Sequence, residues 1–249
     1  MSRLVVVSGG GTGIGRAIAG AFAGSGDEVL IIGRRADQLE TTARELNKQV
    51  EAELVQFRPA DLTDAQEGER IAAELAAAGR VVGVVVNNAG GFYGLEHPDT
   101  VAGIEAQWRA NFEGNVLPAV LLTHALIPLL SRPGGRIVTV SSIAALRGPG
   151  TYGGAKAALH PWTAELAERL GPDGITANVI APGFVEDTEF FGDRMTEAGY
   201  QARVRQTLVG KAGRPEQIAA LAVHLASAAA AFTTGQIIQV NGGALLGRG

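Results

Sequence analysis

A tyrosine and a lysine four positions apart, Tyr152 and Lys156, follow ten residues behind a serine pair, Ser141-Ser142. On a helix that spacing puts Tyr152 and Lys156 on one face, one turn apart. An ammonium beside a phenol favours phenolate, so Lys156 is expected to draw Tyr152 down from about 10 towards neutral pH. A phenol tuned in this way can exchange a proton with a reacting oxygen, and a serine hydroxyl can hold or donate to the same oxygen. Either serine could do so. Tyrosine and lysine at this spacing are common in helices, so their weight comes from position, after a strand that ends in serine and after two stretches suited to a nucleotide.

The first of those stretches runs Val5-Val6-Val7-Ser8-Gly9-Gly10-Gly11-Thr12-Gly13-Ile14-Gly15. A β-branched run reads as a buried strand, and Ile14, Ile18 and Phe22 then recur at helical spacing. Glycines at such a turn accept positive φ and let backbone N–H groups approach a phosphate, while the new helix N-terminus favours an anion. The result is a pyrophosphate cradle, although its spacing is not the common G-x-G-x-x-G. The second stretch is a nearly continuous apolar strand, Val81–Val86, that ends in Asn87-Asn88-Ala89-Gly90. Between them, the strand Glu28–Ile32 ends in Gly33-Arg34-Arg35, where an NAD-type site would carry an acid for the ribose hydroxyl. Two guanidiniums there can grip a 2′-phosphate. The plainer alternative is a pair of solvated arginines at a helix start.

Taken in order, Ser8-Gly9-x-x-x-Gly13-x-Gly15, Asn87-Asn88-Ala89-Gly90 and Ser142 followed by Tyr152-x-x-x-Lys156 resemble the short-chain dehydrogenase/reductase family, in particular its 3-oxoacyl-(acyl-carrier-protein) reductase-like members. The resemblance covers the whole chain, with Ser8 where the family usually has threonine. It implies a nicotinamide dinucleotide held by Ser8, Gly9, Gly11, Thr12, Gly13, Ile14 and Gly15 at the phosphates and by Arg34 and Arg35 near the ribose. Asp61 and Leu62 would lie near the adenine, with Asn88, Ala89 and Gly90 leaving space for the cofactor. Tyr152, Lys156, Pro182, Gly183 and Thr188 would serve the nicotinamide end. NADP(H) is expected over NAD(H), with Arg34 as the direct contact. The implied catalytic set is Asn111, Ser142, Tyr152 and Lys156. Asn111 would distort its helix and hold a water, and Lys156 would bind the nicotinamide ribose. Two departures stand out. The loop from Ser142 to Tyr152 is about three residues shorter than usual, so 146–151 must cross the site tightly, and Thr188 comes one residue later than is common.

These residues need a scaffold, and the pattern supplies one. Strands alternate with helices from end to end, which predicts an α/β fold, one doubly wound Rossmann-type domain with a mostly seven-stranded parallel sheet. With 249 residues, 46% hydrophobic and 18% charged, the chain suits a compact core. Asp64 or Thr63 can cap the helix that follows Asp61. Residues 184–211, rich in aromatics, are expected to form a substrate lid. The helix read from Ile104 to Leu130 is apolar nearly all round beyond Val116, so one side calls for a partner and a homo-oligomer is expected, a dimer or, by resemblance, a tetramer. Pro161 should bend or open the helix that carries Lys156.

A net charge of −4 offers no basic face for nucleic acid, and the absence of cysteine excludes disulfides and thiolate chemistry. The four histidines, His97 among them, lack metal-ligand spacing and read as structural or surface residues. No uninterrupted apolar span near 18 residues or signal peptide is read, so the expected address is the cytoplasm, away from membranes. The implied activity is reversible hydride transfer between NADP(H) and a small carbonyl/alcohol pair. An NAD-dependent alcohol dehydrogenase of the same fold and a cofactor-binding sensor without turnover are the alternatives.

Overall fold

The computed structural model describes residues 3–94, 100–148, 150–190, 192 and 195–247; His97 and Phe191 lie outside them. The expected alternation forms β1 (Leu4–Ser8), α1 (Gly13–Gly24), β2 (Glu28–Gly33), α2 (Ala36–Val50), β3 (Val55–Pro59), α3 (Ala65–Ala77) and β4 (Val82–Asn87) in the first half. The second half adds α4 (Val101–Asn115), α5 (Leu117–Leu126), β5 (Arg136–Val140), α6 (Ala144–Arg147), α7 (Gly150–Leu170), β6 (Thr176–Pro182), α8 (Glu197–Val204), α9 (Pro215–Leu225) and β7 (Ile237–Val240). The strands form one sheet in the order β3-β2-β1-β4-β5-β6-β7, and every pairing is parallel. Strand order reverses between β1 and β4, and in such sheets a crevice opens at the carboxyl ends of the strands beside that point.

Strand residues alternate between two apolar layers because successive side chains point to opposite faces. Val5, Val7, Val29, Ile31, Val84, Val86, Val138 and Val140 meet Ile18 and Phe22 of α1, Leu39 of α2, and Ile218, Ala222 and Leu225 of α9. Leu4, Val6, Val82, Val85 and Ile137 meet Ile71 of α3, Leu122 and Leu126 of α5, and Leu166 and Leu170 of α7. Asp64 caps α3 by accepting from the Gln66 N–H.

The long helix expected from Ile104 to Leu130 is instead broken at Val116, between α4 and α5. Pro118 sits in the first turn of α5, where it has no N–H to reach back to Gly114. Residues 101–129 are nevertheless long and apolar enough to cross a membrane by composition alone, with mean hydropathy 1.3 over an eighteen-residue window. Its charged residues, Glu105, Arg109 and Glu113, all lie in α4, and α5 has none. In the fold the stretch packs on α3, β4 and α7, and it leaves Trp108, Phe112 and Leu117 exposed. By contrast, α7 continues through Pro161 as one helix.

Candidate active site

At the carboxyl end of β1 the chain turns through Gly9 and Gly13, both at positive φ (65° and 51°), a region open to glycine at little cost. A Cβ on Gly15 would lie 2.1 Å from the Gly9 carbonyl oxygen and 2.5 Å from Asn88 Nδ2. The cradle therefore closes on itself only with glycine there, and its shape fits a dinucleotide phosphate at the start of α1. Ser8 holds the cradle to β4: its hydroxyl donates to the Val86 carbonyl (3.3 Å) and accepts from the N–H groups of Asn88 (3.0 Å) and Ala89 (3.1 Å). Asn88 donates back to the carbonyls of Ser8 and Gly9. From α2, Thr42 and Gln38 donate to the Gly11 carbonyl at 2.8 and 3.2 Å. Ile14 is packed against the α1 side of the core.

Arg34 and Arg35 follow β2 on the exposed rim, between the strand and α2. Asp61 accepts from the Thr63 N–H and hydroxyl, and these bonds, with Arg34 nearby, hold its carboxyl below the usual range. Leu62 is buried in the apolar layer with Ile71.

Tyr152 and Lys156 lie on α7, which starts beside the end of β5. The Ser142 hydroxyl lies near enough to the Tyr152 phenol to lower its pKa, and it accepts from the Ala144 N–H at 3.1 Å. Ser141 turns the other way: its hydroxyl lies 3.1 Å from the Lys156 carbonyl oxygen and 2.8 Å from His160 Nε2. Of the two serines, Ser142 is the one turned towards Tyr152. The short Ser142–Tyr152 connection is folded into α6, which was not apparent in the sequence, and α6 lies so close to α7 that a Cβ on Gly153 would sit 2.6 Å from the Ala144 carbonyl oxygen.

The Lys156 ammonium donates to the Val140 carbonyl at 3.2 Å. It forms one wall around Gly90, whose added Cβ would meet Lys156 Nζ at 2.9 Å and Asn115 Oδ1 at 2.6 Å. Burial pushes Lys156 from 10.5 down to about 8. It also raises Tyr152 to about 12, opposed by the nearby Ser142 hydroxyl. The expectation that Lys156 draws the phenol down is therefore reversed. The same apolar enclosure penalises both charged forms, and Phe190, its ring centroid 5.1 Å from that of Tyr152, is part of it. At neutral pH Tyr152 keeps its proton.

Asn111 is fully buried. Its side-chain amide donates to the carbonyls of Tyr93 and Gln107 and to the Thr151 hydroxyl, the last at 3.1 Å, and its Oδ1 accepts from the Tyr93 N–H. The helix is regular at Asn111 and breaks five residues later, contrary to the expected local distortion. Asn115, one turn on, donates to the carbonyls of Asn111 and Gly91 and accepts from the Gly91 N–H. Sequence reasoning missed Asn115 and Thr151. The i, i+4 repeat of asparagine was the available signal for the first, and Thr151 had none.

After β6, Gly183 packs against Asn241, with no room for a Cβ (2.7 Å to Asn241 Cα). The following residues cross to the cradle, where a Cβ on Gly13 would lie 3.4 Å from the Thr188 methyl. Glu186, paired with Arg214 and accepting from the Tyr200 hydroxyl at 2.6 Å, ties down the base of this crossing.

A family profile described as enoyl-(acyl carrier protein) reductase matches residues 9–244. The rhamnolipids biosynthesis 3-oxoacyl-[acyl-carrier-protein] reductase of Pseudomonas aeruginosa is 33% identical, over 97% of this chain and 95% of that one. A galactitol 2-dehydrogenase (L-tagatose-forming) of Cereibacter sphaeroides is 34% identical over 95% and 92%. Among solved structures, a Pseudomonas aeruginosa RhlG/NADP active-site complex superimposes with a TM-score of 0.85 at 32% identity, covering 97% of this chain and 95% of that one.

Proposed function

The chain belongs to the short-chain dehydrogenase/reductase family of NAD(P)-dependent oxidoreductases, and from that premise we propose that it reduces a ketone or aldehyde to an alcohol with NADP(H). The observation that carries this reading is geometric: Tyr152 packs against Phe190 and faces Ser142, on the same helix as the buried Lys156, whose ammonium reaches the carboxyl end of β5 at the Val140 carbonyl. A phenol held as phenol is equipped to give a proton.

The cradle from Ser8 to Gly15, with Asn88, Ala89 and Gly90, would hold the dinucleotide, and Arg34 and Arg35 would meet its 2′-phosphate. Asp61 and Leu62 would flank the adenine, while Pro182, Gly183 and Thr188 would border the nicotinamide. Bound nicotinamide supplies the hydride. Tyr152 donates its proton to the carbonyl oxygen, and Ser142 holds that oxygen against it. Lys156 would hold the nicotinamide ribose and, through its positive charge, favour the phenolate left behind. Asn111, fixed by Tyr93 and Thr151, supports the return of a proton from solvent. In the alcohol-oxidising direction the same groups act in reverse.

Residues 184–211 act as the lid of one catalytic unit that spans the chain. The exposed Trp108, Phe112 and Leu117 of α4–α5 form part of the contact in a homodimer or homotetramer, and the cytoplasm, with its NADP(H) pool, is the expected address.

The test is Tyr152→Phe, which keeps the ring and removes the proton. A screen of carbonyl compounds by NADPH absorbance identifies a substrate. The variant should then bind NADPH within a few-fold of wild type by fluorescence and lose at least about a hundredfold in turnover. Unchanged turnover refutes the assignment. NADPH binding by wild type without turnover of any carbonyl or alcohol would favour a sensor.

A further inference from the structure

Glu189, in the segment that leaves β6, reaches across the cradle to a residue 154 positions away in sequence. Its carboxylate takes a two-pronged ion pair from Arg35, with Nη2 to Oε2 at 2.6 Å and Nη1 to Oε1 at 3.3 Å. The Thr12 hydroxyl donates to the same carboxylate at 3.3 Å. Thr12 and Arg35 are the N-cap residues of α1 and α2, and the Thr12 side chain caps nothing within α1. One carboxylate thus engages the flanking residues of two helix starts, where an anion is favoured.

We propose that Glu189 is a specificity-determining residue, a built-in anion that competes with the 2′-phosphate of NADP(H) for Arg35. The proposal rests on the nucleotide reading above and extends it to the lid. Arg35 and Thr12 hold the Glu189 carboxyl below the usual carboxylate range, so it is charged throughout the working pH range. A phosphate brought to Arg35 therefore meets a like charge already in place. The pair is open to water on both sides, with 61% and 57% side-chain exposure, so an incoming phosphate can displace it. Arg34 is differently placed, with Asp61 as its charged neighbour. Releasing Glu189 frees the segment that carries Thr188 and Phe190, which lie against Gly13 and Tyr152. A ligand with a 2′-phosphate loosens the lid at this point, whereas one without it leaves the Glu189–Arg35 pair intact.

The experiment uses the whole chain with adenosine 2′,5′-bisphosphate and AMP as probes, alongside NADPH and NADH. Hydrogen–deuterium exchange of 184–211 should speed up with the bisphosphate and not with AMP. In Glu189→Gln, exchange should be fast from the outset and gain nothing from the bisphosphate. By direct titration that variant should bind the bisphosphate and NADPH about two- to fivefold more tightly, with AMP and NADH unchanged. Glu189→Ala should repeat the result, which separates lost charge from the amide's own bonds. Slower exchange with both probes, or equal weakening of NADPH and NADH in the variants, would mean that Glu189 closes over the cofactor and would overturn the proposal. If wild type binds neither NADPH nor NADH, the nucleotide reading itself falls, and the proposal with it.

Discussion

Replacing Lys156 by methionine should make the protein more stable at neutral pH while abolishing turnover. The ammonium donates to the Val140 carbonyl, and its burial lowers its pKa from 10.5 to about 8. That drop corresponds to about 3 kcal/mol against folding at pH 7, since the unfolded chain holds the proton more tightly. The sign follows from proton counts: between pH 8 and 10.5 the unfolded chain binds more protons, so wild-type stability rises through that window. Below pH 8 the full cost is present, and above 10.5 it is gone. Methionine fills similar space without charge, but the loss of the bond to Val140 costs about 1–2 kcal/mol. The variant should therefore gain roughly 1–2 kcal/mol at pH 7, a rise in Tm of about 2–8 °C for a chain of this size. Thermal unfolding followed by circular dichroism at pH 7 and pH 10 measures it. The advantage should shrink or reverse at pH 10. A variant less stable than wild type by the same margin at both pH values would show that the Lys156 ammonium is not desolvated, and the reasoning would fail.

Arg34→Ala should weaken NADP(H) about ten- to a hundredfold, the worth of one or two charge-assisted bonds, and leave NAD(H) little changed. Equal losses for both cofactors in a fluorescence titration would show that Arg34 does not read the phosphate. Gly15→Ala should cost about 1–3 kcal/mol in denaturant unfolding and at least about tenfold in NADPH affinity, because its Cβ lies 2.1 Å from the Gly9 carbonyl oxygen. Gly24→Ala, with nothing within 4 Å, is the control and should be neutral or slightly stabilising. Light scattering at micromolar concentration should give a dimer or tetramer, and a mass of 25.6 kDa would refute the assembly expected from α4–α5.

Much of the architecture could be read from local pattern alone. Ile18 and Phe22 at four-residue spacing set the buried face of α1, and the valine runs of β1 and β4 announced strands covered on both sides. Glycine at a strand–helix turn, serines at the end of a strand and Tyr152 one turn before Lys156 are legible because each depends on a few neighbouring residues. Length misled at the helix expected from Ile104 to Leu130, where apolar periodicity continues through Pro118 but backbone hydrogen bonding does not.

The charge states at the site were beyond the reach of spacing. Two residues one turn apart suggest a phenol made acidic by its neighbour, yet Tyr152 is raised to about 12. The cause is desolvation, which is set by what folds over the ring, including Phe190 from a segment 38 residues further on. That Ser142 rather than Ser141 is turned towards Tyr152 depended likewise on where α7 lies, since His160 and the Lys156 carbonyl capture the other hydroxyl. Asn115 against Gly91 and Glu189 against Arg35 are contacts between distant parts of the chain. Periodicity and turn chemistry act over a few residues and are written in the order of the chain. Burial and long-range ion pairing come into being only when the sheet brings the ends of its strands together, and that was left to the tertiary structure.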